Sequence, residues 1–435
     1  MKITKFSATK VHGHYNFDFH FLPDVSFLVG INGSGKTSAL RLIQATLSMD
    51  LATLQTIRFS KLSLTVDRDG RQQNITITNQ GNSLLIAFNG ETSNSKISFL
   101  GDEERLLFLK NDRLEDYFEQ SRLSFLKSLS DTERRIISGE RPLFLGLERK
   151  TNRYDEELFY ADENRALNMR HSSIARKEMM DGLENCGRLI EKSYKNYRKI
   201  SDLTYSKLIK VLIESTFDYI EFDSQSFENP KSQYLELQEL LTRRDELERF
   251  AFSFSEGTLF SGTIEKFFNK ITTLMKSNSH DAKGFNLELL LNKAQIKRFQ
   301  RIFIEMDTQK RNAERAYAPI KGFVDAMNRF LEISKKSVEI DNIGRLRISH
   351  YGEAIPLQSL SSGEKQLIIL MAHSAFSKNK GGVFIVDEPE LSLHLRWQEM
   401  LVEELTATNR NNQFIFATHS PEIVGFLKNN CVRVG

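Results

Sequence analysis

The 435-residue sequence has only two cysteines, Cys186 and Cys431. One pair builds no disulfide framework and offers no metal-ligand spacing, so both read as core or surface thiols of a reducing compartment. Long apolar runs are missing too. None approaches the roughly 18 residues needed to span a bilayer. The opening MKITKFSATK leads into a polar and aromatic stretch, not the apolar core of a secretion signal. Charge of one sign is scarce: the net formal charge is +3, too small to imply nucleic-acid binding unless basic residues cluster locally. Internal repeats and low-complexity segments are absent, and no heptad seam persists through several repeats, so a long coiled coil is not supported. With 40% hydrophobic and 27% charged residues, the chain reads as a soluble, cytoplasmic globular protein. Its length suits about two or three compact units, or one interrupted domain.

What is present is unevenly distributed. MKITKFSA and YNFDFHFL read as strands, the second with Phe17, Phe19 and Phe21 alternating. The apolar run Val25 to Gly30 enters a Gly-rich loop, and KTSALRLIQATLSM then places Leu40, Ile43 and Leu47 at helical spacing. IRFSKLSLTV, the turn DRDG and NITITNQ predict a hairpin that SLLIAF and KISFL extend into a small antiparallel sheet. RPLFLGLERK resembles another buried strand. From about residue 155 to 340, apolar residues such as Leu189, Ile190, Tyr194, Tyr197 and Leu203 recur at helical spacing. Turn residues interrupt the pattern at Glu228 to Pro230, Ser255 to Gly262 and Ser277 to Gly284, which predicts a compact helical bundle. From RLRISHYG onward strands return. GGVFIVDE and QFIFATHS carry the apolar runs VFIV and FIFA of buried strands and alternate with helices, the pattern of a parallel sheet covered on both faces. The expected division is therefore 1–154, 155–340 and 341–435.

The chemistry-bearing strings lie at opposite ends. Gly30-Ile31-Asn32-Gly33-Ser34-Gly35-Lys36-Thr37 fits the phosphate-loop pattern GxxxxGK[ST] in a strand, loop, helix setting. Its backbone N–H groups converge on phosphate oxygens at a helix start, with Lys36 reaching the β- and γ-phosphates and the Thr37 hydroxyl on Mg²⁺. VFIVDEPE delivers adjacent acids to the end of a buried strand, a costly arrangement without a compensating cation or proton. Asp387 is placed to hold Mg²⁺ through water, and Glu388 to act as general base toward the attacking water. Acids favoured by a helix dipole are the plainer alternative. FIFATHS ends with His419, either a structural histidine or a sensor of the γ-phosphate. LSSGEKQ sets Ser361 and Gly363 before a helix, an ordinary cap or a second anion-binding helix start. Neither end completes a nucleotide site by itself, so the fold must join them.

Together these strings resemble the head domain of the ABC-type ATPases, in the branch holding SMC proteins, RecF and the OLD-like ATPases. Gly30 to Thr37 match Walker A, Leu360 to Gln366 the signature, Val383 to Glu388 Walker B, Ser392 to His394 the D-loop and His419 the switch histidine. The resemblance implies an α/β head, with a parallel sheet core and an antiparallel β subdomain, interrupted by a helical insertion. It also implies ATP and Mg²⁺ as ligands, slow hydrolysis and a head-to-head dimer. Gly30, Asn32, Gly33, Ser34, Gly35, Lys36, Thr37 and Ser38 would then hold the nucleotide. Ser361, Gly363 and Glu364 would face the nucleotide of the partner copy. Thr37 and Asp387 would hold the metal, and Lys36, Glu388 and His419 would act in catalysis.

The string DEPELSLH, the size and the short helical insertion are most similar to the PtuA-like ATPases of Septu and retron-linked antiphage systems. Those act with an HNH nuclease of the PtuB type, and in retron systems also with a reverse transcriptase and its DNA. No HNH, TOPRIM or other nuclease constellation occurs in this sequence. Two departures stand out. The Q-loop glutamine has only Gln120 as a candidate, and the sequence stops soon after His419, where such heads often continue with further strands. Arg188, Lys192, Lys195, Arg198 and Lys199 interleave with Tyr194 and Tyr197, as on a DNA-facing helix or simply a solvated one. The expectation is a switch ATPase controlling a nuclease. A RecF- or SMC-like repair ATPase and a non-hydrolysing ATP-locked scaffold are the alternatives.

Overall fold

The computed structural model describes residues 1–98, 114–137, 143–145, 171–217, 238–252, 261–278, 287–376, 382–409 and 411–434. Strands β1 (Lys2–Val11), β2 (Tyr15–His20) and β3 (Val25–Val29) lead to α1 (Lys36–Ser48) and α2 (Leu51–Thr56). Then come β4 (Lys61–Arg68), β5 (Arg71–Asn79), β6 (Ser83–Phe88) and β7 (Glu91–Ser98). These strands, without β3, form a six-stranded sheet of order β2-β1-β4-β5-β6-β7, antiparallel throughout. The expected hairpin is real: Arg68 faces Arg71 across Asp69 and Gly70, both at positive φ, the two-residue turn whose twist suits paired strands. Leu62, Leu64, Val66, Ile75, Ile77, Leu84 and Ile86 point from one face into a core shared with Leu40, Leu42 and Ile43 of α1.

Beyond α3 (Leu114–Ser128), α4 (Asp131–Ile137) and β8 (Leu143–Leu145), the helical region holds α5 (His171–Phe217), α6 (Arg244–Phe252), α7 (Ser261–Asn278) and α8 (Leu287–Leu331). The sequence suggests a compact bundle of four to six helices. Instead α5 and α8 run for 47 and 45 residues, because their apolar spacing continues without a break. Of the expected breaks, Glu228 to Pro230 and most of Ser255 to Gly262 and of Ser277 to Gly284 lie outside the described residues. The chain divides into two compact units, Met1–Tyr194 with Ala318–Gly435, and Lys195–Tyr317. The second unit has its own core of Leu240, Leu247, Phe268, Ile271, Ile296, Ile302 and Phe303. The start of α5 and the end of α8 belong to the first unit, where Leu183, Cys186, Ile190, Phe323, Met327 and Phe330 share a core with Phe384 and Phe414.

The chain then forms β9 (Lys336–Ile340), β10 (Leu346–His350) and β11 (Glu353–Ile355), a small antiparallel sheet. Next are α9 (Ser362–Phe376), β12 (Val383–Asp387), α10 (Leu395–Thr408), β13 (Gln413–Thr418), α11 (Pro421–Val424) and β14 (Cys431–Arg433). A five-stranded sheet of order β14-β3-β13-β12-β8 joins both ends of the sequence, every pair parallel. All five residues of β12 and all six of β13 are buried, as apolar strands covered on both faces require. Gln413 stitches the two larger sheets together. Its buried amide accepts from the Ile3 N–H and donates to the carbonyls of Ile3 and Leu22, each at 2.7 Å. No helix among the described residues is long and apolar enough to cross a membrane.

Candidate nucleotide site

Register decides where the chemistry meets. Thr418 pairs with Val29, and Asp387 pairs with Ala417. The carboxyl ends of β3, β13 and β12 therefore lie side by side, the edge where open parallel sheets bind ligands. The Gly-rich loop follows β3, Asp387 and Glu388 end β12, and His419 follows β13.

The loop is shaped by contacts that admit little else. Gly35 sits at φ +89, and a Cβ there would lie 2.8 Å from the Phe17 ring. As the N-cap of α1 it supplies no side-chain acceptor to the first N–H groups of the helix. The Tyr15 hydroxyl donates to the Gly33 carbonyl, and the His12 imidazole bonds the Ser38 hydroxyl at 3.0 Å. Sequence reasoning missed this brace from the β1–β2 turn, because nothing in a strand pattern tells which loop its turn will touch. Asn32 is exposed, as is Ile31, while Ser34 is buried.

Lys36 is 5% exposed. Its ammonium donates to the carbonyls of Gly30 and Ile31 at 3.0 Å each and lies 3.4 Å from the Ser34 hydroxyl. Burial pushes its pKa down, while Asp387, Glu388 and Glu390 nearby pull it up; burial prevails. Asp387 is 4% exposed, and neither carboxylate oxygen completes a hydrogen bond. Burial raises its pKa and Glu388 adds to the rise; the Thr37 hydroxyl, Arg41 and Lys36 oppose it. A buried carboxylate with two vacant acceptors beside a hydroxyl suits a hard cation with oxygen ligands, so these residues fit Mg²⁺. Among the described residues no group of three or more His, Cys, Asp and Glu could hold a metal. A cation here would draw its remaining ligands from water and phosphate oxygens.

Glu388 occupies the left-handed region at φ +49, unfavourable for a side-chain-bearing residue outside a constrained turn. Its N–H bonds the Ala417 carbonyl at 2.8 Å, extending the β12–β13 pairing by one rung. The chain then turns tightly through Ser392, also at positive φ. Glu390 points back, accepting from the Thr418 hydroxyl at 2.8 Å and the His419 N–H at 2.7 Å. His419 itself is exposed.

Ser361 and Glu364 form a reciprocal cap at the start of α9. The Ser361 N–H donates to the Glu364 carboxylate at 2.8 Å, and the Glu364 N–H donates to the Ser361 hydroxyl at 3.2 Å. Lys336 adds 2.8 and 2.9 Å bonds to both oxygens of Glu364. Burial drives the Glu364 pKa up, but Lys336 and Ser361 outweigh it and the net shift is downward. Glu364 is thus engaged with its own helix, leaving Ser361 and Gly363 as the exposed and close-packed faces of this turn. A Cβ at Gly363 would come within 2.3 Å of the Ser392 carbonyl, so the turn after β12 rests against α9. Gln366 also reaches the Pro389 carbonyl at 3.3 Å. Gln120 lies exposed on α3.

The family profile described as "AAA domain, putative AbiEii toxin, Type IV TA system" matches residues 25–425. The Retron Vc95 probable ATPase of Vibrio cholerae serotype O1 biovar El Tor is 33% identical over 94 residues, 19% of this chain and 18% of that protein. The Retron Ec83 probable ATPase of Escherichia coli is 32% identical over 81 residues, 16% of this chain and 15% of that protein. The chain therefore aligns with less than a fifth of either relative's length. Among solved structures, it is similar to the Smc head domain with an extended coiled coil from Pyrococcus furiosus, with 14% identity and a TM-score of 0.41, covering 99% of this chain and 93% of that one.

Proposed function

Because the chain belongs to the AAA-domain family whose profile spans residues 25–425, we propose that it is an ATP-hydrolysing switch that dimerises through its nucleotide-binding faces and controls a partner nuclease. One observation carries the reading: the unpartnered Asp387 carboxylate lies beside Thr37, Lys36 and Glu388 at a single sheet edge. Phosphoryl transfer has a loose transition state, so positioning and charge do most of the work. The Lys36 ammonium exchanges the Gly30 and Ile31 carbonyls for phosphate oxygens, and the loop N–H groups from Gly30 to Ser38, with Asn32, Gly33, Ser34 and Gly35 between, cradle the rest. Thr37 and Asp387 hold Mg²⁺, which neutralises phosphate charge when bound. Glu388 takes the proton of the attacking water, and the exposed His419 faces the γ-phosphate. Ser361 and Gly363 address the nucleotide of a second copy.

The nuclease part of the proposal draws support from the retron ATPases that this chain resembles and from the lack of a nuclease motif in its own sequence. An HNH protein is the partner proposed, with a reverse transcriptase and its DNA in a retron setting. Glu388→Gln tests the chemistry. Steady-state ATP turnover should fall roughly a hundredfold or more, while ATP-bound dimers accumulate on size-exclusion chromatography. ATP-dependent assembly without turnover in the wild type, and unaltered by the substitution, would favour a locked scaffold. Incubated alone with DNA and Mg²⁺, the purified chain should cut nothing. Metal-dependent cleavage by the isolated chain would refute the division of labour.

A further inference from the structure

Glu390 has no place in the reading above, yet it is the group that joins the two acidic and basic turns. β12 ends at Asp387, and the left-handed backbone at Glu388 carries the chain away from β13. The last main-chain rung is Glu388 N–H to the Ala417 carbonyl. Beyond it Thr418 still pairs with Val29 of β3, but β12 offers no further partner on the other side, and there the Glu390 carboxylate takes the strand's place. One oxygen accepts the Thr418 hydroxyl and the other the His419 N–H. Thr418 accepts the Ser420 N–H at 3.0 Å, and the Ser420 hydroxyl lies 2.7 Å from Gln398 Oε1 on α10. The main chain that carries His419 is thus held by Glu390 from the turn after β12, and just beyond it by Gln398 of α10 through Ser420.

A neutral acceptor would satisfy the same donors at lower electrostatic cost. Glu390 is the third carboxylate acting on Lys36, with Asp387 and Glu388, and like charges at such range oppose one another. A charge-assisted bond is shorter and about twice as strong as a neutral one, which suits a link that must hold an exposed imidazole in place.

Building on the ATPase reading, we propose that Glu390 is a positioning residue. Its carboxylate fixes the His419 main chain relative to the Asp387–Glu388 turn, so that the imidazole meets the γ-phosphate in register with the attacking water.

The test compares wild type, Glu390→Gln, His419→Ala and the double variant, all in the full chain. In Glu390→Gln one donor must face the side-chain amide. The kcat should then fall roughly tenfold to a hundredfold, as for a misplaced catalytic group, with ATP Kd and Tm unchanged. In the His419→Ala background the same substitution should cost nothing further, because its effect passes through His419. Additive losses, or a loss that follows Tm, overturn the proposal. A second readout needs no hydrolysis. The chain has nine histidines, so histidine-selective ¹⁵N labelling gives a spectrum in which the His419 amide is assigned by its absence in His419→Ala. Its hydrogen exchange should speed up in Glu390→Gln; equal rates overturn the proposal. If Glu390→Gln fails to fold, Thr418→Val removes the hydroxyl arm alone, and its kcat loss must likewise vanish in the His419→Ala background. Absent wild-type turnover would refute the ATPase reading, while the amide exchange would still judge the Glu390 link.

Discussion

A fold keeps a buried carboxylate without partners only at a cost, and two of the buried acids, Glu364 and Asp387, show both sides of that balance. Glu364 has Lys336 and Ser361 on its oxygens and a pKa below the ordinary range. Neither oxygen of Asp387 meets hydrogen-bond geometry, the Thr37 hydroxyl beside it only partly offsets its burial, and its pKa lies above that range. For an acid raised in the folded state, the stabilising contribution is present below its ordinary value of 3.8 and is lost as pH rises through the folded value. At neutral pH Asp387 therefore weakens the nucleotide-free protein. Asp387→Asn should stabilise that form by about 1–3 kcal/mol in chemical denaturation at pH 7. It should also abolish the stabilisation that ATP with Mg²⁺ gives the wild type. A less stable nucleotide-free variant would show that the carboxylate is already satisfied. Asp387 was legible because two acids ending an apolar strand demand compensation. Glu390 stood in the same string, but its role depends on a turn at Glu388 and Ser392 that no local pattern announces.

At the scale of the element, α9 is buried almost from end to end, which matches its run of apolar residues. His373 lies within it, fully enclosed, with Nε2 lacking a hydrogen-bond partner. Burial pushes its pKa from 6.5 to about 4. For a base lowered in the fold, stability is complete above 6.5 and is lost as pH falls toward 4, because the unfolded chain takes up the proton first. The loss attributable to this one group amounts to about 3 kcal/mol across that window. His373→Phe should flatten the stability curve between pH 6.5 and 4, read by denaturation at stepped pH. A variant curve parallel to that of the wild type would assign the acid sensitivity elsewhere. β12 and β13, which share a core with α9, were readable from their apolar runs, and β4 and β5 in the other sheet from their alternation about an Asp-Gly turn. The long helical stretch that became α8 was readable too, whereas the full length of α5 was not, since helical spacing says little about where a helix stops.

The whole molecule raises that difficulty again. Leu183, Cys186, Ile190, Phe323 and Met327 have the same three- and four-residue spacing as Ile296, Phe299 and Phe303, yet the first set packs in one unit's core and the second in the other's. Periodicity reports which face of a helix is covered and not by what, so the helical stretch 155–340 contains residues of both units. The chain leaves the first unit after Tyr194 and returns at Ala318. Tyr194 is seated in the first unit, its Cβ only 2.8 Å from where a Cβ on Gly344 would stand. At the base of the second unit the rings of Tyr197 and Tyr317 lie 5.0 Å apart, so the two crossings are close enough for a short link. Every proposed nucleotide-contacting residue belongs to the first unit. Replacing Lys195–Tyr317 by a short Gly/Ser linker should therefore leave a folded protein that ATP with Mg²⁺ still stabilises in a thermal melt. Asp387→Asn in that shortened chain should remove the stabilisation, as in the full one. An insoluble product, or a folded one indifferent to nucleotide, would mean that the inserted unit is part of the site. Retained nucleotide binding with loss of nuclease control would separate the two tasks, leaving the phosphate chemistry to the joined ends of the sequence and partner recognition to the unit between them.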